Sequence, residues 1–323
     1  MDHSCVKIQI KPTDFKMGDG QMKAAPVRVS DGNWLPYIEY YERQLLNGGD
    51  SNGCVLFTWQ EDFDAQVNYL IENGKIPQSL LDQFSAWGYM DSNSNDGKPH
   101  FHTSPRFLQI LTGNGLNGNN LVDAPTAART YGCLPYTDLP VDPTMTPEEY
   151  VNPAAITPAM YAKAKQFLEA IGGKQAIQYQ WITDGGTNVS GMRCALPAAP
   201  LALGINVGTN WNTVQPTIPP VSAGGQPGHS VMNYFIDVSD GTWIYDHYLP
   251  NPKDLVAGYP IWYSLQTIVN IIPLPPLPVE PSVPISTQSP QSISLWSAWL
   301  SAISSWLGNL SQRLSSKGRS KEK

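Results

Sequence analysis

The sequence holds a cysteine whose local context suits nucleophilic chemistry. Cys54 follows the turn-forming run Asp50-Ser51-Asn52-Gly53 and leads into Val55–Ile71, where apolar residues recur at near-helical spacing. Asn52 or Ser51 can cap the start of that helix, which places Cys54 at its N-terminus. Unsatisfied backbone N–H groups and the helix dipole stabilise a thiolate at such a position. The pattern predicts the nucleophile of a cysteine-dependent reaction.

A nucleophilic thiol requires a base, and His229 is the best-placed histidine in the sequence. It opens the apolar run 229–235, which is typical of a strand, and a second strand is predicted over Thr242–Tyr245. A hairpin through residues 239–241 would return Asp246 to the side of His229. The cysteine, the histidine and the aspartate then supply a nucleophile, a base and the group that orients the base.

The stretches that carry these residues resemble the sequence landmarks of the papain-like cysteine peptidases. Asn52-Gly53-Cys54-Val55-Leu56-Phe57 is similar to the family's Gly-Ser-Cys-aromatic-Ala-Phe box. Gly228-His229-Ser230-Val231 is similar to its Gly-His-Ala-Val box, and Tyr245-Asp246-His247-Tyr248 stands where the family has Lys-Asn-Ser-Trp. Between them, Gly113–Asn120 resembles the family's Gly/Asn-rich turn and Tyr131–Tyr136 its Gly…Tyr-Pro-Tyr segment. The landmarks follow the family's order over most of the chain.

The resemblance implies an α+β fold in which a helical half, with the nucleophile helix at its centre, packs against a β-rich, barrel-like half. It implies a cysteine endopeptidase that hydrolyses a polypeptide substrate through a thiolate and an acyl-enzyme, with Cys54, His229 and Asp246 as catalytic residues. No cofactor and no metal are expected for that chemistry. The family's oxyanion-hole glutamine lies shortly before its cysteine, and Gln44 is the preferred counterpart, with Asn47 as the alternative.

The sequence departs from the family pattern at several positions. Val55 replaces the aromatic residue after the nucleophile, Asp246 replaces an asparagine, and Tyr248 replaces the tryptophan that shields the histidine contact. An aspartate can also hold the imidazole tautomer, so the second change is compatible with catalysis. The family's spacing places Gly48 at the oxyanion position, so Gln44 requires a longer loop. Insertions are expected in two segments, Asp142–Pro158 and Thr209–Gln226.

Two other interpretations remain open. The chain could be a catalytically degenerate papain-fold module of a larger assembly such as a virion, which the changes at Val55 and Asp246 allow. Alternatively, the chemistry is kept and the substrate is a peptidoglycan cross-link or an isopeptide, although no cell-wall-binding repeat is visible in the sequence. Reactivity of Cys54 toward an electrophile at acidic pH separates an active thiol from a degenerate module.

Composition and charge restrict the class of protein. The 323 residues carry 20 Lys+Arg and 27 Asp+Glu, a net charge of −7, with no basic stripe in the body, which argues against nucleic-acid binding. The other three cysteines are an odd number, so no disulfide framework is expected for Cys5, Cys133 and Cys194. Residues 1–20 lack an apolar signal core. We therefore expect no signal peptide and a cytoplasmic or virion-associated protein.

Changes in composition divide the chain into four expected parts. Residues 1–26 form an N-terminal extension, residues 27–270 the peptidase domain, residues 271–290 a proline-rich linker and residues 291–323 an amphipathic helix with a basic tail. Tryptophans and leucines fall on one face of residues 293–314, which are too polar to span a bilayer. We expect this helix to bind a protein partner or to self-associate, with membrane contact as the second choice.

Periodicity and capping signals predict the elements between the chemical landmarks. Helices come first in the chain and strands later, which suits an α+β fold. Helices are predicted over Leu80–Tyr89, Ser104–Leu111, Leu121–Tyr131, Thr157–Ile171 and Ser190–Leu196, and strands over Val6–Ile10, Ala176–Ile182 and Pro200–Val207. His100 and His102 near Asp96 form an H-x-H pair, which we interpret as polar surface rather than a metal site.

Overall fold

The computed structural model describes most of the chain up to residue 272. The described residues are 16–17, 25–94, 96–183, 186–208, 211, 217–218 and 228–272. They lie within one compact unit that spans residues 1–275. The predicted strand Val6–Ile10, the proline-rich linker after residue 272 and the C-terminal helix lie outside the described residues. Among the described helices, none is long and apolar enough to cross a membrane.

Helices dominate the first part of the chain, as the sequence predicts. They are α1 Cys54–Glu72, α2 Gln78–Ala86, α3 Pro105–Thr112, α4 Asp123–Tyr131, α5 Pro147–Tyr150, α6 Pro158–Ala170 and α7 Val189–Ala195. The predicted caps of α3 and α6 are present, because the hydroxyls of Ser104 and Thr157 accept hydrogen bonds from backbone N–H groups in the first turn. Proline follows each cap at the first helical position, where its missing N–H costs nothing.

Strands supply the second part of the chain. The first four form two short hairpins: β1 Leu45–Leu46 with β2 Gly49–Asp50, and β3 Met90–Asp91 with β4 His100–Phe101. The other seven are β5 Ile177–Thr183, β6 Leu201–Ile205, β7 Thr217–Ile218, β8 His229–Ile236, β9 Thr242–Tyr245, β10 Lys253–Leu255 and β11 Ile261–Val269. They form one sheet in the order β5-β11-β6-β8-β9-β10-β7, antiparallel except for β10–β7. In the described residues, the β-rich half of the α+β fold is this single sheet, which does not close into a barrel.

Helix α1 lies between the sheet and the other helices. It packs against β6, β8 and β11 on one side and against α3 and α4 on the other. Its Trp59 and Phe63 belong to the core of the helical half, whereas Ala65 belongs to the core of the sheet half. Each large apolar side chain buried in this way stabilises the fold by about 1.5–3 kcal/mol relative to an exposed one.

The polar residues of α1 are buried as well, and hydrogen bonds to both halves satisfy many of their atoms. The Gln66 side chain donates to the Thr267 carbonyl in β11 at 3.0 Å and accepts from Arg28 at 2.7 Å. The Asp64 carboxylate accepts from the backbone N–H of Thr103 at 2.9 Å. Because a buried polar group without a partner costs about 1–3 kcal/mol, these contacts fix the orientation of α1.

The start of α1 differs from the prediction. Gly53 is the cap residue, and no side chain caps the helix. Asn52 instead has φ of 52°, a left-handed conformation that asparagine tolerates better than most residues, and the Ser51 hydroxyl accepts from the Gly53 N–H at 3.2 Å. The predicted turn is present, but its side chains stabilise the turn rather than the helix.

Candidate active site

Cys54 is the first residue of α1 and is fully buried. The turn before it is fixed from two directions. The Asp50 carboxylate accepts from the Asn52 backbone N–H at 2.8 Å, and the Asn52 side chain donates to the Leu116 carbonyl at 2.9 Å. The second contact ties the turn before Cys54 to the Gly/Asn-rich segment Gly113–Asn120. The sulfur is thus held at the positive end of a 19-residue helix.

His229 is the first residue of β8, and Asp246 directly follows β9. The two strands pair in register with Met232 opposite Tyr245, so the hairpin returns Asp246 to His229. His229 Nε2 lies 2.7 Å from Asp246 Oδ1, and both side chains are fully buried. Burial alone would raise the pKa of Asp246, but the contacts with His229 and Lys253 outweigh it and hold the pKa well below its usual range.

The second oxygen of Asp246 has partners that sequence reasoning missed. Lys253 Nζ lies 2.5 Å from Asp246 Oδ2, and the Trp211 indole N–H donates to the same oxygen at 2.9 Å. The backbone N–H of Asp246 donates to the Asn251 side chain at 3.0 Å. Lys253 stands seven residues after Asp246, beyond two prolines, and Trp211 lies 35 residues before it. Neither residue belongs to a motif, so no local signal pointed to either of them.

Two aromatic rings enclose the imidazole of His229. The Tyr248 ring lies 5.2 Å from it at 64°, and the Trp211 ring lies 5.6 Å from it at 82°. Tyr248 therefore occupies the shielding place that the resemblance assigns to tryptophan, and Trp211 covers another side. The Tyr248 hydroxyl donates to the Asp50 carboxylate. Burial raises the pKa of Tyr248, and the nearby charges of Asp50 and Cys54 add to that effect.

The structure relates the three predicted catalytic residues as follows. His229 and Asp246 are in direct contact. Cys54 begins the helix that packs against β8, the strand that His229 begins. Tyr248 touches the His229 ring and interacts electrostatically with Cys54. Sequence-distant residues from α1, β8 and the end of β9 therefore converge on one region.

Gln44 and Asn47 have different environments, although only two residues lie between them. Gln44 is buried, and its side-chain amide donates to Asp50 Oδ1 at 2.7 Å, next to the nucleophile turn. Asn47 is exposed in the turn of the β1–β2 hairpin, and its backbone N–H donates to the Met145 carbonyl. The β1–β2 hairpin lies between Gln44 and the turn before Cys54 in the sequence, and the bond to Asp50 brings the Gln44 amide back to that turn.

A cavity of about 770 Å³ adjoins the β1–β2 hairpin. Its lining includes residues 45–47, 49 and 50, together with Arg43, Pro143 and Thr144. Asp50 is the link to the site, because its carboxylate also contacts Gln44 and Tyr248. The cavity thus shares a wall with the turn that carries Cys54.

The two histidines of the H-x-H pair lie in different environments, and the surface interpretation is wrong for His102. His102 is buried between the rings of Tyr40 and Tyr136 at 3.7 and 4.1 Å. Its ring nitrogens lie 2.6 Å from Glu42 and 3.1 Å from Asp91. Burial lowers the proton affinity of the imidazole, but the two carboxylates outweigh this effect and raise the pKa of His102 to about 10.

His100 lies in a cluster of oxygen and nitrogen donors with Glu39 and Asp96. Its Nε2 is 3.0 Å from Asp96 and 3.6 Å from Glu39. The same Asp96 oxygen already accepts from the Lys98 backbone N–H at 2.8 Å and from the Ser94 hydroxyl at 3.1 Å. These contacts close the polar loop between β3 and β4.

Comparisons with known proteins identify the fold. No protein-family model and no curated protein matches the sequence. Xylellain, a cysteine protease from Xylella fastidiosa, aligns over 84% of this chain and 96% of its own, with a TM-score of 0.56 and 13% identity. Procathepsin L 3 of Tenebrio molitor aligns over 83% of this chain and 76% of its own, with a TM-score of 0.49 and 11% identity. Bromelain from Ananas comosus aligns over 73% of this chain and 97% of its own, with a TM-score of 0.44 and 13% identity. The chain therefore has an α+β, papain-like fold.

Proposed function

We propose that the protein is a cysteine peptidase that hydrolyses peptide bonds through Cys54. The observation that carries the proposal is the fully buried contact of 2.7 Å between His229 and Asp246, positioned by β8 and β9 beside the helix that Cys54 begins. A buried imidazole held by a carboxylate has a fixed tautomer and orientation. A cysteine at a helix N-terminus has a stabilised thiolate.

The proposed reaction has two stages. His229 Nδ1 takes the proton of Cys54, because Nε2 is held by Asp246. The thiolate attacks the peptide carbonyl, and the collapse of the tetrahedral intermediate expels the amine, which leaves with the proton from His229. Water, deprotonated by His229, then attacks the thioester and releases the carboxylic acid and the thiol. The chain supplies every group for these steps from Cys54, His229, Asp246 and the oxyanion donors.

The oxyanion is stabilised by the backbone N–H of Cys54 and the side-chain amide of Gln44. One N–H of that amide donates to Asp50, which sets its orientation and leaves the second N–H for the oxyanion. Donors fixed before the reaction stabilise the transition state without a cost of reorganisation. The adjoining cavity, with Arg43 at its rim, is the proposed place for substrate residues next to the scissile bond.

We expect Cys54 to be alkylated by iodoacetamide at pH 4 to 6, where an ordinary thiol is almost entirely protonated. The chain contains its own references: Cys194 is exposed, whereas burial raises the pKa of Cys133 well above its usual range. Peptide mapping by mass spectrometry identifies the cysteine that reacts. Because Cys54 is buried, the dependence on pH is the measured quantity, rather than the absolute rate.

The substitution His229→Ala should abolish the reaction of Cys54 at acidic pH and leave the alkylation rate of Cys194 unchanged. If wild-type Cys54 reacts only in parallel with Cys194 as the pH rises, the thiol is not activated. That result would favour the catalytically degenerate module. If Cys54 is activated, hydrolysis of casein and of peptide libraries, with Cys54→Ala as the inactive control, then defines the substrate.

A further inference from the structure

The described side chains place a buried lysine directly behind the orienting carboxylate of the candidate site. Lys253 begins β10, and its side chain is fully buried. Its ammonium group lies 2.5 Å from Asp246 Oδ2, donates to the Tyr248 carbonyl and lies 5.2 Å from the centre of the Trp211 ring. Burial lowers the pKa of Lys253, and the contact with Asp246 opposes that shift. Since an unpaired buried charge is costly, the contact with Asp246 is needed to stabilise this ammonium group.

The two oxygens of Asp246 therefore contact two different basic groups. Oδ1 faces the imidazole of His229, and Oδ2 faces Lys253. A carboxylate 2.7 Å from an imidazole attracts a positive charge on that ring, because little solvent screens a buried pair. An ammonium group on the opposite oxygen reduces that effect. Asp246 still orients the imidazole ring of His229, but together with Lys253 it forms a pair whose net charge is near zero.

The other titratable groups around the pair do not supply this positive charge. His247 is neutral at neutral pH, because burial lowers its pKa to about 4. Burial raises the pKa of Tyr41 to about 12, and the pKa of Tyr248 is raised as well, so both phenols stay uncharged. Asp50, across Tyr248, and the thiolate of Cys54 add negative charge. Among the described residues, Lys253 is the cation in contact with Asp246 besides the imidazole of His229.

We propose that Lys253 is a positioning residue that neutralises Asp246 and thereby sets the pH range over which Cys54 and His229 form an ion pair. The proposal rests on the function proposed above. Lys253 acts through Asp246 and touches neither the sulfur nor a substrate in this scheme. Its removal should therefore move the pH profile of the site, which loss of packing alone does not do.

The test uses Lys253→Met, which keeps an unbranched side chain and removes the charge. The probe is alkylation of Cys54 by iodoacetate over pH 4 to 10, with neutral iodoacetamide as the comparison. Anionic iodoacetate is attracted by the imidazolium, so its rate of reaction rises with pH as the thiolate–imidazolium pair forms and falls again as the imidazolium loses its proton. The pH profile therefore has an acidic limb and an alkaline limb. In K253M we expect both limbs at higher pH than in the wild type. The alkaline limb should move by about one pH unit or more, the order of magnitude for a charge at this distance.

Two further variants separate charge from structure. Asp246→Asn alone leaves a buried cation behind a neutral amide, so its alkaline limb should move to lower pH. The double variant D246N/K253M removes both charges and should return the limbs close to the wild-type positions. Lys75→Met is the matched surface control, because Lys75 is exposed beyond the far end of α1.

Each outcome has one meaning. The role of Lys253 is overturned if the pH profile of Cys54 alkylation in K253M superimposes on the profiles of the wild type and K75M. Should K253M fail to fold by circular dichroism, D246N is compared with D246N/K253M, and coincident alkaline limbs overturn the proposal. Absence of any acid-pH alkylation in the wild type is a different result: it rejects the proposed function, whatever the variants show.

Discussion

At the level of single residues, the amide of Gln44 has a fixed orientation. Its partner, Asp50, also accepts from the Asn52 backbone N–H and from the Tyr248 hydroxyl. One carboxylate thus holds the proposed oxyanion donor, the turn before Cys54 and a ring that covers His229. Under the proposed function this shared anchor would matter for the rate, because catalytic donors lose most of their effect when they move by an ångström.

We expect Gln44→Ala to lower kcat for a peptide substrate by roughly a hundred- to a thousand-fold, the usual loss for one oxyanion donor. The matched variant is Asn47→Ala, because Asn47 is exposed in the adjoining hairpin turn. Asn47 lines the proposed substrate cavity, so N47A is expected to raise KM and to lower kcat far less than Q44A does. Steady-state kinetics of both variants measures the difference. A loss in N47A that equals the loss in Q44A would reassign the oxyanion donor.

Residues differ in how far the sequence alone could identify them. Cys54 and His229 stand in local contexts that predict their elements, namely a helix start and a strand start. Lys253 and Trp211 reach Asp246 through tertiary contacts, and a lysine after a proline-rich turn normally indicates a solvated surface. His102 was misjudged for the same reason, because its partner Glu42 lies 60 residues away.

At the scale of elements, periodicity and caps predicted most helices but fewer strands. Helices α3 and α6 begin where Ser104 and Thr157 predict, since a cap is a local hydrogen bond. Strands β10 and β11 were missed. Their existence depends on pairing with β9, β6 and β5, which a scan along one segment does not detect.

Packing between α4 and α6 gives a prediction at this scale. Gly132 ends α4 with φ of 84°, and a Cβ there would lie 1.9 Å from the Ala164 carbonyl oxygen in α6. Gly132→Ala therefore combines backbone strain with a clash, and we expect a loss in the free energy of unfolding above about 3 kcal/mol. Gly74→Ala is the control, because its φ of 61° imposes similar strain without any atom within 4 Å. Denaturant unfolding of the two variants tests the difference, and equal losses would exclude the clash.

At the scale of the whole molecule, the Glu42–His102–Asp91 cluster connects distant parts of the fold. The Glu42 side chain contacts His102 next to β4, while its backbone carbonyl accepts from His247 Nδ1 at 2.8 Å, beyond β9. The cluster thus joins the N-terminal segment to both halves. The segment continues directly into Gln44, so the cluster also supports the candidate oxyanion donor.

This cluster makes stability depend on pH in a defined direction. The pKa of His102 is raised from 6.5 to about 10 in the folded protein, so its contribution is complete below pH 6.5 and is lost as the pH rises toward 10. We expect His102→Gln to reduce the free energy of unfolding by a few kcal/mol at pH 6, and by much less at pH 10. Urea unfolding of both proteins across this range measures the difference. A deficit in H102Q that is constant with pH would show that the imidazolium does not contribute.

The shared helix α1 has a consequence for the proposed peptidase activity, because copies of the protein would meet one another as substrates. Proteolysis requires a segment to open and enter an active site, and the opening free energy limits the rate of cleavage when reclosing is fast. Since α1 contributes to the cores of both halves, opening at this helix disturbs the packing of both. Such an opening costs more free energy than one that disturbs a single core. The same burial that would fix the proposed nucleophile would thus also disfavour self-digestion at α1.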